Sequence, residues 1–222
     1  MAPSAVLLDL DGTLIDSHPG IQASCIAALR ALGHEPSEGF DIRASIGPPL
    51  EEIIHNLLQS FGDGRVEEGV AAYRQHYGES GYRGSVLYPG IADALSALKR
   101  SGARLYLATS KRELFARRIL EHLRLADQFD GIYGSIPGGA RDHKPELLAF
   151  IVAQHRLDPS QGVMVGDRRY DVIGARAVGM RSLGVLWGYG ERRELVEAGA
   201  DGLVEVPAEL ARAALAPFEG RR

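Results

Sequence analysis

Short apolar runs recur at residues 5–10, 104–108, 132–134, 163–165, 182–186 and 202–206, and segments with helical periodicity lie among them at 113–123, 146–154, 172–178 and 191–198. Such alternation admits few architectures, because successive parallel strands need a crossover and the crossover helix must cover a face of the sheet. The pattern predicts an α/β fold with a doubly wound parallel sheet. The first run, AVLLDL, is almost wholly apolar, as expected of a central strand covered on both faces. With 222 residues, 45% of them hydrophobic, the chain has room for one main domain and a modest insertion.

The rhythm breaks after Ser17. A helix opens with Pro19 in its first turn, places Ile21, Cys25, Leu29 and Leu32 on one face, and stops at Gly33. Leu50, Ile53, Ile54, Leu57, Leu58 and Phe61 follow at helical spacing, then Val66, Val70, Tyr73 and Tyr77, and no strand signal returns until 85–87. The expected organisation is an all-helical insertion at 18–82 within a core made of 1–17 and 83–222. The end of the tail, 220–222, is expected to fray.

Formal net charge is −4 and the acids and bases are interspersed, so no electrostatic stripe offers itself to nucleic acid or to an anionic membrane. The single cysteine, Cys25, excludes an intramolecular disulfide. The start of the chain has no basic segment followed by a long apolar one, and a cytoplasmic location is expected. No apolar run approaches the length of about 20 residues that spans a bilayer. Oligomeric state is left open.

The stretch LLDLDGTLIDS puts Asp9 and Asp11 two residues apart where the first strand ends. Side chains two apart on a strand share a side, and Gly12 lets the backbone turn sharply after them. Open α/β sheets bind ligands beyond the carboxyl ends of their strands, where the strand order reverses. A turn dipeptide accounts for Asp11-Gly12 but leaves Asp9 unexplained. In VMVGDRRYDVIGA, Asp167 ends another apolar strand and Asp171 lies four residues on; such an Asp also reads as a helix cap. If both segments end at one edge of the sheet, four carboxylates meet, and some must be protonated or a cation must compensate them. All-oxygen ligation without clustered His or Cys favours Mg2+ over zinc. Thr109 and Ser110, just after the strand in LYLATSK, and Lys144, held in place by Pro145, suit a phosphoryl group beside that ion.

Together these residues resemble the haloacid dehalogenase superfamily. Asp9 to Thr13 match its Asp-x-Asp-Gly-Thr motif, residues 105–109 its hydrophobic strand ending in Thr or Ser, Lys144 its lysine, and Gly166, Asp167 and Asp171 its Gly-Asp-x-x-x-Asp motif. YPGI at 88–91 and the helical insertion resemble the phosphoglycolate phosphatase branch. The resemblance implies a Rossmann-like core with a small α-helical cap and a phosphatase of small phosphomonoesters. It implies Asp9 as the nucleophile, Asp11 as the acid and base, and Thr109 and Lys144 as balancing phosphoryl charge. It also implies Mg2+ on the Asp9 and Asp167 carboxylates and the Asp11 carbonyl, with Asp171 acting through water. Gly12, Thr13 and Ser110 are expected to bind substrate. Arg43, just before a Gly-Pro-Pro turn, is expected to meet the substrate's carboxylate. Phosphoglycolate is the expected substrate, a nucleoside monophosphate the runner-up, and sugar-phosphate phosphatases and phosphomutases share every motif. A phosphorelay receiver fits less well, because Asp11 and the insertion have no place in it.

Overall fold

The computed structural model describes residues 4–139 and 141–217; the tail expected to fray lies outside them. The chain opens with β1 (Ala5–Leu8) and the two-residue β2 (Ile15–Asp16). Three helices follow, α1 (His18–Ala31), α2 (Leu50–Gln59) and α3 (Val66–Glu79), and then β3 (Val86–Leu87). Strand and helix alternate from there: α4 (Ile91–Arg100), β4 (Arg104–Arg112), α5 (Glu113–His122), β5 (Gly131–Ser135), α6 (Lys144–His155) and β6 (Gly162–Gly166). The series ends with α7 (Arg169–Ala177), β7 (Arg181–Val185), α8 (Arg192–Ala198), β8 (Gly202–Val204) and α9 (Leu210–Leu215). No helix among the described residues is long and apolar enough to cross a membrane.

Six strands form one parallel sheet in the order β5-β4-β1-β6-β7-β8, the doubly wound arrangement that the alternation predicts. Alternate side chains of β1 face opposite layers, as strand geometry requires. Val6 and Leu8 join a core with Ile91, Leu95, Ile119 and Leu210, whereas Ala5 and Leu7 join one with Leu147, Leu148, Ile151 and Ala175. The helices α4 and α9, additional to those expected from periodicity, complete the first of these layers. Strand order reverses on either side of β1, so the carboxyl ends of β4, β1 and β6 bound a crevice.

The helices that interrupt the alternation pack around their own apolar cluster, which includes Ile21, Cys25, Leu29, Ile54, Leu58, Tyr73 and Tyr77. The strand signal at 85–87 does not join the main sheet. It becomes β3, antiparallel to β2, with Ile15 opposite Leu87 and Asp16 opposite Val86, so the chain's way into the helical segment and its way out run side by side.

A loop from the far side of the sheet ties down the entry. The Trp187 indole donates to the Thr13 carbonyl at 2.9 Å. The Tyr189 hydroxyl donates to Asp16 Oδ1 at 2.9 Å and accepts from the backbone N–H of Ser17 at 2.7 Å and of His18 at 2.9 Å. Those two amides open α1 and have no carbonyl of their own helix to bond. The His18 amide keeps Asp16 Oδ1 as a second acceptor at 3.1 Å, but removing the hydroxyl strands the buried Ser17 amide, so Tyr189→Phe is expected to lower stability by about 1–3 kcal/mol, read from urea denaturation.

Candidate active site

Asp9 and Asp11 follow β1 directly, and the chain then turns through Gly12 at φ +78°. A side chain on Gly12 would collide with the Asp167 carboxylate and come within 2.8 Å of the Tyr189 ring, so glycine serves both the turn and the approach of the two loops. Lys144, the first residue of α6, lies across this edge. Its Nζ stands 2.9 Å from Asp9 Oδ1 and 2.5 Å from Asp171 Oδ1, and donates to the Ala108 carbonyl at 2.8 Å. The close approach of α6 to α7 requires Gly174, where a Cβ would sit 2.7 Å from that of Lys144.

Asp171 has both carboxylate oxygens engaged. Its Oδ2 accepts from the Arg168 N–H at 3.1 Å, capping α7, while its Oδ1 takes the lysine. Asp167 Oδ2 accepts from the Tyr189 N–H at 2.7 Å, and its Oδ1 accepts from the Thr13 hydroxyl at 3.3 Å. One oxygen from each of Asp9, Asp167 and Asp171 lies within 4.8 Å of the others, and all three residues are buried.

These carboxylates disfavour one another's charge. Burial pushes Asp9 from 3.8 up to about 6; Lys144 opposes the rise and Asp171 adds to it. Burial likewise holds Asp167 well above the usual carboxylate range, with Asp171 and Asp9 adding to the effect. Burial works against the Lys144 charge, but Asp171 and Asp9 outweigh it and keep the ammonium protonated beyond the usual lysine range. One lysine thus stands against three acids, a deficit that a divalent cation meets. The all-oxygen donor set suits a hard ion, and Asp9, Asp167 and Asp171 are the residues that could hold it.

The cleft above these groups, about 70 Å³ in volume, is lined by Asp9, Asp11, Thr109 and Ser110 from the sheet side and by Tyr73 and Arg74 from α3. Arg43 is not part of that lining: it is exposed in a short 3-10 turn, 5.8 Å from the Tyr189 ring centroid, with a guanidinium nitrogen 3.3 Å from His18 Nδ1. Two arginines do reach the cleft, Arg112 at the end of β4 and Arg74, which donates to Glu51 at 2.7 Å and keeps a buried Nε with no hydrogen-bond partner.

Three further residues shape the site. Lys111 pairs with Asp11 Oδ2 at 2.8 Å, and a charge directly after the strand-end Thr-Ser pair was a usable signal for it. Arg168 reaches from the acid-bearing loop to Glu194 Oε1 at 2.9 Å and to the Ile46 carbonyl in the helical segment. Tyr189 closes over Asp167 from the loop after β7. No periodicity marks the last two, because both lie in loops and their partners are more than twenty residues away.

The raised position of Asp9 has a thermodynamic sign. The folded state keeps that proton to higher pH than the unfolded chain, so in chelated protein the site's contribution to stability falls as pH climbs from about 4 to about 6. A cation that replaces the proton reverses the loss. Mg2+ or Ca2+ is expected to raise the melting temperature at neutral pH, and Asp167→Asn to abolish that rise, as thermal melts with and without the ion would show.

A family model described as haloacid dehalogenase-like hydrolase matches residues 6–185. The tyrosine-protein kinase PtkA of Mycobacterium tuberculosis is 42% identical over 190 residues, which is 85% of this chain and 64% of that protein; the chain thus spans just under two thirds of that relative's length. A 5'-nucleotidase of Pseudomonas aeruginosa is 37% identical over 86% of each chain. Phosphoglycolate phosphatase 1 of the same organism is 30% identical over 88% of this chain and 74% of its own length. Among solved structures, a predicted phosphatase from Clostridium acetobutylicum superposes with a TM-score of 0.88 at 32% identity, covering 97% of this chain and 99% of the other. With the Asp-x-Asp-Gly-Thr strand end, the lysine and the second acid pair all on one sheet edge, the chain belongs to the haloacid dehalogenase-like hydrolase family, on the branch that includes the phosphoglycolate phosphatases.

Proposed function

We propose that this chain is a Mg2+-dependent phosphatase of small phosphomonoesters that works through an aspartyl-phosphate. The observation that carries the reading is the division of labour between two neighbouring acids. Asp9 is buried against Lys144, while Asp11 stands at the cleft with Oδ1 free of any partner. In this reading an Asp9 oxygen attacks phosphorus, the ester P–O bond breaks, and the departing alkoxide takes a proton from Asp11. The Asp11 carboxylate then takes a proton from water, whose oxygen attacks the same phosphorus and releases phosphate from Asp9. Lys144 and Thr109 balance the phosphoryl charge, and Gly12, Thr13 and Ser110 border it. Mg2+, held by the Asp9 and Asp167 carboxylates and the Asp11 carbonyl with Asp171 behind them, would supply charge neutralisation at the phosphoryl oxygens.

Residues 18–82 act in this reading as a cap over a core of 1–17 and 83–222, keeping bulk water from the intermediate. The narrow cleft favours a compact leaving group, and Arg74 supplies the cation for its carboxylate that Arg43 does not. Phosphoglycolate is therefore the first substrate to test. A nucleoside monophosphate is the second reading, supported by the 5'-nucleotidase that matches over 86% of both chains. The buried single thiol of Cys25 accords with a reducing cytoplasm.

A screen of phosphoglycolate, nucleoside monophosphates and sugar phosphates with Mg2+ tests the assignment. Asp9→Asn and Asp11→Asn are both expected to lose at least about a hundredfold in kcat, and Asp9→Asn alone to abolish the acid-stable, hydroxylamine-sensitive phosphoenzyme. Phosphate release by Asp9→Asn at the wild-type rate would exclude the mechanism.

A further inference from the structure

Lys111 is used by no step of the proposed reaction, yet its side chain is only 8% exposed and its charge is fully engaged. The irregularity in β4 accounts for its direction. β4 pairs with β5 at Ala108 opposite Tyr133 and again at Arg112 opposite Ser135, so three residues on one strand face one on the other. Such bulges re-aim side chains beside active sites. Lys111, the last of the three, ends with Nζ 2.8 Å from Asp11 Oδ2 and 4.7 Å from the centroid of the Tyr77 ring. Tyr77 belongs to α3 and is held in place by stacking on Tyr73 at 5.4 Å and an edge contact with Phe115 at 5.2 Å. The ammonium is thus wedged between an acid of the sheet edge and an aromatic face of the helical segment, a cation–π arrangement strengthened by burial.

We infer that Lys111 is a positioning residue for Asp11: it fixes one carboxylate oxygen so that the other, Oδ1, points at the oxygen that leaves phosphorus, and it does so only while α3 is packed over the cleft. The inference rests on the phosphatase reading above. Two features of Asp11 support it. Asp11 lies in a turn, where no regular strand pairing beyond a single bridge to Ile15 limits its rotation. Its Oδ2 is held by Lys111, while its Oδ1 is buried without a hydrogen-bond partner in a residue that lines the cleft. A general acid must meet its target at hydrogen-bond range, so orientation of that free oxygen decides the rate. The Tyr77 contact makes the orientation conditional: α3 presses the lysine onto the acid, and without α3 the ammonium has no apolar wall behind it.

The two esters that separate this role from others are n-propyl phosphate and p-nitrophenyl phosphate. Neither ester carries a charge outside its phosphoryl group for Lys111 to bind, and only the propoxide needs a proton to depart. In Mg2+-loaded full-length protein, Lys111→Met is expected to lower kcat/KM, which reports formation of the phosphoenzyme and not its hydrolysis, by about a hundredfold on propyl phosphate and by less than about threefold on the nitrophenyl ester. Lys111→Arg, which keeps the charge, is expected to recover most of the loss. Equal losses of kcat/KM on both esters would overturn the inference and leave Lys111 a structural or phosphoryl-binding group. Should Lys111→Met fail to fold, Lys111→Gln carries the same comparison, with an ester-independent loss as the overturning result. A wild-type protein that turns over neither ester refutes the phosphatase reading and this inference with it, an outcome distinguishable from wild-type turnover with ester-independent mutants.

Discussion

Lys144 sets the conditions for everything around it. A buried ammonium is tolerated only with hydrogen-bonding partners and opposite charge, and here it has Asp9, Asp171 and the Ala108 carbonyl. Those partners come from β1, α7 and β4, elements separated by long stretches of sequence, so the lysine can be satisfied only when the sheet is assembled in its observed order. The same contacts hold the Asp9 carboxyl in one place and leave the acid cluster short of positive charge. Structure and chemistry therefore meet in one side chain: the lysine is affordable because of the acids, and the acids gather beside a cation site because one lysine cannot neutralise them.

The sheet and its binding edge were legible in the chain because burial on both faces leaves a signature that no surface segment imitates. Each of the six expected runs lies in the parallel sheet, and the acids after β1 and β6 stand at its carboxyl edge. What stayed hidden depends on irregularity. The pairing of β2 with β3 involves two residues on each strand, too short for any period, and the bulge that turns Lys111 inward is a register shift of the folded sheet. Arg43 illustrates the reverse error. A lone arginine before a Gly-Pro-Pro turn suggests reach into the crevice, but the turn carries it toward His18 and Tyr189 instead, while α3 delivers Arg74 to the cleft.

Among the contacts that tie the helical segment to the sheet edge, three land next to an acid of the site. Tyr189 bonds the opening amides of α1 with its hydroxyl and Asp167 with its backbone N–H. Arg168, directly after Asp167, reaches the Ile46 carbonyl, and Lys111 bridges Asp11 and the Tyr77 ring. Displacing the helices thus removes a partner from the residues that orient the acids, as well as opening the cleft. Such links make the geometry of the site a function of how the helical segment sits, which is the coupling that lid closure needs if water is to be kept from a reactive intermediate.

The contacts differ in kind, and the difference decides which of them can yield. The Tyr189 hydroxyl answers three groups at once, and breaking it leaves the buried Ser17 amide unsatisfied, which costs more than a surface pair. It behaves as the fixed end of the hinge. The Lys111–Tyr77 contact is an ammonium against a ring face, worth about 0.5–2 kcal/mol and free of strict directionality, so it can be lost and regained without stranding the tyrosine. In the cap reading, a segment held at its entry by the hydrogen-bond hub and near its exit by a weaker cation–π contact yields first at the latter. The acid at that contact is Asp11, and it is the one whose orientation opening would release.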